Sequence, residues 1–328
     1  MTTTIIPARP LGRSGIDISE IGTGLWAAGG HWGPTDDAGA IDAIEASLDA
    51  GVTFYDTADV YGDGHSERLL GQAMKGRRDR FIVGTKIGWT NYDGDKNRSQ
   101  YDTVEKLIAG VDEGLKRMGT DYVDLIQCHV FYPEPNTPVF VEGFRKMKEQ
   151  GKVRAFGVST ADLDHIKTFN AHGDLDAIQI DYSILNRTPE ADVFPYCQEH
   201  GIGLIVRGPL AMGILTGKFD ADDPPAFEGD DFRKAWLDDP DQNAQFRKDL
   251  ETVERLRPLA ADGETLSQLA LRFVLANPAV ATVIPGARNR EQAELNTGAA
   301  AFGPLDGATL AKIDAIVPPR GGRKIWPA

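Results

Sequence analysis

Two hydrophobic periodicities alternate along the chain, one of short apolar, β-branched runs and one of helical spacing, and the switch between them recurs about eight times. The short runs, at residues 21–24, 53–55, 81–86, 123–129, 153–159, 177–182, 203–207 and 282–285, predict strands. The intervening stretches, at 38–50, 66–74, 103–117, 139–150, 162–171, 189–200, 246–261 with 266–276, and 291–300, predict helices. Strand followed by helix, repeated in this order, describes an α/β (β/α)8 TIM barrel. No break in composition divides the repeat, so one barrel domain is expected over residues 1–328.

Glycines punctuate the pattern. Ala50-Gly51, Gln150-Gly151 and His200-Gly201 each place a glycine just past a helical stretch, where left-handed dihedrals end a helix, and each leads into a strand. Ahead of the first strand, Arg9-Pro-Leu and Ile16-Asp-Ile-Ser flank Gly12-Arg-Ser-Gly15, the pattern of an N-terminal β-hairpin that can plug the barrel bottom. The long departure from the repeat is residues 208–242, rich in Gly, Pro and Asp after the seventh strand, and long βα loops in barrels usually serve the site. Beyond Pro304, a short helix over 306–316 precedes a tail with Arg320, Arg323, Lys324 and Trp326.

Composition narrows the function classes. The chain has 328 residues, 41% hydrophobic and 26% charged, as in an ordinary soluble protein with a sizeable core. A net charge of −14 disfavours nucleic acid and anionic membrane as partners, so a phosphate-bearing ligand needs a local basic pocket. No apolar run of about 18 residues occurs, and the start Met1-Thr-Thr-Thr-Ile-Ile is not that of a secretory signal, so a cytoplasmic protein is expected. Cys128 and Cys197, the only cysteines, are expected to be reduced thiols. No metal is expected, and the chain is read as a monomer or homo-oligomer.

The candidate chemistry gathers at strand ends, where barrel active sites lie. Asp56 closes the second run with Tyr61 just beyond it in a Gly-rich turn, Lys86 closes the third and His129 the fourth. Two-residue alternation is consistent with Lys86 and His129 pointing inward. An inward Lys86 beside Asp56 forms a buried ion pair, and the ammonium is expected to lower the pKa of Tyr61, while His129 orients a carbonyl or relays a proton. Singly, each has a plainer reading: a structural salt bridge, a packed ring, a capping aspartate. Jointly they fit protonation of an alkoxide formed from a carbonyl.

The segment Gly51-Val-Thr-Phe-Tyr-Asp-Thr-Ala-Asp-Val-Tyr-Gly62, followed by Ser66-Glu-Arg-Leu-Leu-Gly71, resembles the signature of the aldo-keto reductase superfamily. The resemblance continues through Gly151-Lys-Val-Arg-Ala-Phe-Gly-Val-Ser159, Gln179-Ile-Asp-Tyr-Ser-Ile-Leu-Asn-Arg187, Gly208-Pro-Leu-Ala-Met-Gly-Ile-Leu-Thr-Gly-Lys218 and Val283-Ile-Pro-Gly-Ala-Arg288, and thus spans nearly the whole chain. The type it most resembles is the bacterial reductases related to potassium-channel β subunits. That resemblance implies that Asp56, Tyr61, Lys86 and His129 form the catalytic tetrad, with Tyr61 as general acid. It also implies a hydride-donating cofactor, most often NADPH (NADP+) with NADH possible, bound without a Rossmann Gly-rich fingerprint. The implied substrate is a small carbonyl compound or sugar.

Residue by residue, the resemblance assigns Ser159 and Gln179 to the nicotinamide carboxamide. It places Gly208, Pro209, Leu210, Gly213, Leu215 and Lys218 in a loop over the pyrophosphate, and Gly286, Ala287, Arg288, Gln292 and Asn296 at the adenosine end. Gly24, Trp26, Asp56 and Arg207 complete the implied cofactor site. Arg288, just before a helix N-terminus and near Arg290, suits a 2′-phosphate. Three departures stand out: Arg207 where many members carry an aromatic ring, Leu295 where an acidic residue is usual, and Val-Phe-Tyr-Pro-Glu-Pro after His129 in place of a Trp-containing run. Trp26, His31, Trp32, Trp89 and Tyr132 are candidates for the substrate wall. Alternative functions are a sugar or alcohol dehydrogenase running oxidatively, a lyase forming a Schiff base on Lys86, and a cofactor-sensing regulatory subunit.

Overall fold

The computed structural model describes residues 6–30, 36–88, 101–129, 136–220, 223, 226–227 and 231–325. Two short strands, β1 (Ala8–Pro10) and β2 (Asp17–Ser19), pair antiparallel with Arg9 opposite Ile18. Eight parallel strands follow: β3 (Thr23–Gly24), β4 (Phe54–Asp56), β5 (Ile82–Ile87), β6 (Val123–His129), β7 (Val153–Ser159), β8 (Ala177–Asp181), β9 (Gly203–Arg207) and β10 (Val280–Val283). Each pairs with its sequence neighbours, and bridges Ile21↔Val283 and Gly24↔Gly286 join the last strand to the first, closing the barrel. The helices of the repeat are α1 (Asp37–Asp49), α2 (His65–Met74), α3 (Val104–Met118), α4 (Thr137–Glu149), α5 (Leu163–Phe169) and α6 (Val193–His200). After them come α7 (Ala235–Asp238), α8 (Pro240–Leu256), α9 (Leu266–Leu275), α10 (Arg290–Thr297) and α11 (Gly307–Ile316). Among the described residues no helix is long and apolar enough to cross a membrane.

The hairpin plugs the barrel as the sequence predicts. Leu11, Ile16 and Ile18 are buried against Phe54, Leu125, Ala155, Ala177, Ile205, Ala281 and Ile284, which come from six barrel strands and the end of one. The fit is close: Gly12 adopts φ +53°, and a Cβ there would lie 2.3 Å from Gly203 N. Because the pleat has period two, fixing these apolar residues inside fixes which residues face inward higher up each strand. A second, larger core lies between strands and surrounding helices, with Phe81, Phe140, Phe144, Phe156 and Phe169 all buried.

Most boundaries differ from the sequence reading by a few residues, and three of the differences have a clear local reason. The last strand runs Val280–Val283 instead of 282–285; its ladder with β9 ends at Ile284, whose N–H reaches Val206 O, because Pro285 has no N–H to continue it. The helix expected from 246 begins at Pro240, with Asp239 accepting from the N–H groups of Asp241 and Gln242 and proline in the first turn. The stretch 189–200 is two pieces, a 3₁₀ turn Thr188–Ala191 and then α6, with Asp192 at the junction.

Candidate active site

The end of β4 is built to hold a turn of fixed shape. Thr57 Oγ1 lies 2.8 Å from Ser66 Oγ, Ser66 Oγ donates to Leu25 O at 3.0 Å, and Thr85 Oγ1 donates to Glu67 Oε1 at 2.8 Å. Arg117 completes the anchor, its Nε donating to Glu67 Oε2 at 2.6 Å. Gly62 has φ +60°, and a Cβ on it would lie 2.5 Å from Gly29 O, so the 3₁₀ turn Trp26–Gly29 presses directly on the segment that carries Tyr61. That pressure is why glycine is required there.

This turn brings Tyr61 over the strand end to Lys86. Lys86, 1% exposed on β5, donates its three N–H bonds to Asp56 Oδ2 at 2.6 Å, Thr57 O at 2.9 Å and Tyr61 Oη at 3.1 Å. The ammonium is thereby saturated. Because Tyr61 Oη accepts this bond, its own O–H proton is left for another acceptor. Asp56 is held at its second oxygen by Gln179 Nε2, 2.7 Å away on β8. His129 ends β6, with its ring centroid 6.0 Å from that of Tyr61, edge to face. The four strand-end residues singled out from sequence therefore meet in one place.

One expectation is corrected. The pKa of Tyr61 is not lowered by Lys86: burial, and then the Asp56 charge, push it well above its ordinary value, against an opposing pull from Arg207. The physical reason is that Asp56, in a short ion pair, cancels the ammonium as seen by the phenol, while the loss of water remains. Burial also lowers Lys86, against the stabilising charge of Asp56. His129 is pushed well below its usual value by burial and by the charges of Lys86 and Arg207, so its neutral ring is the stable form near neutral pH. The resting site thus holds a fully protonated phenol beside a neutral imidazole.

The remaining assigned residues ring this centre. Ser159 ends β7 beside His129 in register, and Gln179 on β8 pairs with Ser159 and Ile205. Gly24, whose added Cβ would lie 2.9 Å from Ile284 O, and Trp26, with its ring 6.4 Å from that of Tyr61, flank the first strand end. Arg207 ends β9 in register with Asp181, and a Cβ on Gly208 would lie 2.4 Å from Asp181 Oδ1. His31, Trp32, Trp89 and Tyr132 lie outside the described residues.

After β9 the chain makes a tight cradle. Gly208, Ala211, Met212, Gly213 and Gly217 all have positive φ, and the turn closes on itself through Ala211 N–H to Gly208 O at 2.9 Å and Gly213 N–H to Leu210 O at 2.9 Å. Pro209 and Leu215 bury their side chains, as does Ala287 after β10, so these three offer a ligand backbone only; Leu210 and Gly213 are half-buried. Lys218, Arg233 and Arg288 gather beside the cradle: partial burial and the two guanidiniums lower Lys218, and both guanidiniums contribute to holding the Asp231 carboxyl low. Arg233 escaped the sequence reading. It chelates Asp231 through Nε and Nη2 and donates from Nη1 to Met212 O at 3.2 Å, strapping the long loop onto the cradle. The basic pair Arg233-Lys234 just after the acidic run 228–231 was the available signal.

At the start of α10, Asn289 caps the helix by accepting from Gln292 N, Gln292 Oε1 accepts from Arg288 N at 3.0 Å, and Asn296 Nδ2 donates to Gly286 O at 3.2 Å. Arg290 does not join Arg288 as an anion site, since it pairs with Asp42 at 2.7 Å and with Glu294. Leu295 stands 37% exposed. The basic cluster and the capped helix start could hold the phosphates of a dinucleotide against the general negative field of the chain.

The Aldo/keto reductase family profile matches residues 20–318. The aldo-keto reductase YhdN of Bacillus subtilis is 38% identical over 290 residues, 86% of this chain and 85% of that protein. The NADH-specific methylglyoxal reductase of Escherichia coli is 34% identical, covering 88% of this chain and 92% of its own length. The glycerol dehydrogenase AKR11B4 of Gluconobacter oxydans superposes with a TM-score of 0.81 at 30% identity, over 100% of this chain and 99% of that one.

Proposed function

This chain belongs to the aldo/keto reductase family, and from that premise we propose that it reduces an aldehyde or ketone to an alcohol with Tyr61 as the proton donor. The protein is an NAD(P)H-dependent oxidoreductase acting on a small carbonyl or sugar substrate. The bound nicotinamide supplies the hydride, which no amino acid side chain provides. The observation that carries the reading is the buried Asp56–Lys86–Tyr61 chain, with bonds of 2.6 and 3.1 Å.

The residues divide the remaining labour. His129, kept neutral, donates its one N–H to the substrate carbonyl oxygen and orients it toward Tyr61. Tyr61 holds its proton until an alkoxide develops, and then transfers it to that more basic oxygen. Lys86, already bonded to Tyr61 Oη, stabilises the phenolate left behind, and Asp56 holds Lys86 in place. Ser159 and Gln179 are proposed for the carboxamide, Gly24, Trp26 and Arg207 for the nicotinamide surroundings, and residues of the cradle with Lys218 for the pyrophosphate. Arg288, with Gly286, Ala287, Gln292 and Asn296, is proposed for the adenosine end.

The name of the glycerol dehydrogenase relative favours one second reading, the same site run as an alcohol dehydrogenase, which needs no other residues because each step is reversible. A titration with NADPH and NADH followed by a panel of aldehydes, ketones and polyols, each in both directions, tests the function and sets its direction. Turnover of carbonyls with NADPH is expected; dinucleotide binding with no turnover of either class leads instead to a cofactor-sensing role.

A further inference from the structure

Gln179 spans the barrel interior. It is 1% exposed on β8, and its Nε2 donates to Asp56 Oδ1 on β4 at 2.7 Å. The register explains why it points inward: Gln179 pairs with Ile205, which packs in the apolar plug cluster. Asp56 is therefore gripped at both oxygens, by Lys86 at Oδ2 and by Gln179 at Oδ1. A buried ion pair stabilises only when its remaining lone pairs are also satisfied, so Gln179 helps decide how well Asp56 holds the charge on Lys86.

The groups facing Lys86 are Asp56 from β4, Asp59 and Tyr61 from the loop after it, His129 from β6 and Arg207 from β9. Among the described residues, Asp56 is the hydrogen-bond partner of the Gln179 side chain, and its Oε1 is the end left to face a ligand. We propose that Gln179 is a positioning residue that links cofactor binding to the protonation of the Lys86–Tyr61 pair, its Nε2 holding Asp56 while its Oε1 accepts an N–H from the nicotinamide carboxamide. This rests on the assignment of Gln179 to the carboxamide made above. One conjugated amide serves both bonds, so accepting at Oε1 strengthens donation from Nε2. Because Gln179 and Lys86 share one carboxylate, a stronger bond from Nε2 eases the release of the Lys86 proton; the coupling is reciprocal, so deprotonated Lys86 favours the dinucleotide.

Two measurements test it, one of them without cofactor. In the cofactor-free protein, Gln179→Met is expected to move the Lys86 titration, followed by carbon NMR at Cε, up by about one pH unit, because a carboxylate that has lost its second donor leans more on the ammonium. For NADPH, the native Kd is expected to tighten as Lys86 deprotonates, and this dependence to flatten in Gln179→Met. Gln179→Leu repeats the comparison if the first variant does not fold. Gln127→Met is the control, since Gln127 on β6 is equally buried and neither of its amide atoms meets a protein partner among the described residues; no shift is expected. A Lys86 titration unmoved by Gln179→Met, or moved equally by Gln127→Met, overturns the coupling alone. Native protein that binds no dinucleotide at any pH overturns the cofactor assignment and the coupling with it.

Discussion

The two ends of the barrel interior are made by the same strands and obey opposite rules. At the bottom, Phe54, Leu125 and Ala177 pack on Leu11, Ile16 and Ile18 of the hairpin. Two residues further along the same strands, roughly 7 Å higher, Asp56 and Gln179 take part in a buried polar network, and His129 stands four residues beyond Leu125. Apolar packing is non-directional, so the lower end loses stability in proportion to what is removed. In the upper end the bonds that join Gln179, Asp56, Lys86 and Tyr61 are directional, and removing one partner leaves a buried group unpaired. The plug fills the lower interior, and the polar end above it holds its charges away from water.

The largest break in this contrast should come from Lys86→Met. It leaves the Asp56 carboxylate buried without its cation, and a loss of about 3–5 kcal/mol in urea unfolding is expected together with loss of turnover. Adding Asp56→Leu should restore much of the stability and none of the activity, which separates the cost of the charge from its use. Next is Leu11→Ala in the plug, where about 2–5 kcal/mol of stability should be lost while kcat at a temperature below unfolding stays close to native. A kcat that fell with stability would mean that the two ends are not separable.

The smallest effect is a pH dependence. The folded His129 is depressed below its unfolded value of about 6.5. Its contribution to stability is therefore complete above that value and declines as pH falls from there toward the folded pKa, because the unfolded chain binds the proton first. Unfolding measured from about pH 7 to 5 should show this decline, and His129→Gln should reduce it. The rate profile of the native protein should show no step near the unfolded value, since the imidazole in the site is neutral throughout.

The periodicity made the barrel legible, and strand ends made the tetrad legible, because Asp56, Lys86 and His129 are each the polar close of an apolar run. The Tyr61 pKa was not legible. Its direction depends on how completely Asp56 cancels Lys86 at 2.6 Å and on how dry the site is, and neither distance nor dryness is written in spacing. The Gln179–Asp56 bond was hidden for a related reason: the partners are 123 residues apart and meet only once the barrel closes. Arg290 looked like an anion ligand until Asp42, on another helix, claimed it.

The central claim is that the polar end works as a proton donor through Tyr61, and a single-turnover experiment with Tyr61→Phe tests it most directly. Native and variant protein, each loaded with NADPH, are mixed with an aldehyde that the native protein reduces, and oxidation of the cofactor is followed by its absorbance. The predicted result is unchanged NADPH affinity with a rate lower by about 10²- to 10⁴-fold, the usual contribution of a positioned general acid. A variant that oxidises NADPH at the native rate would contradict the account.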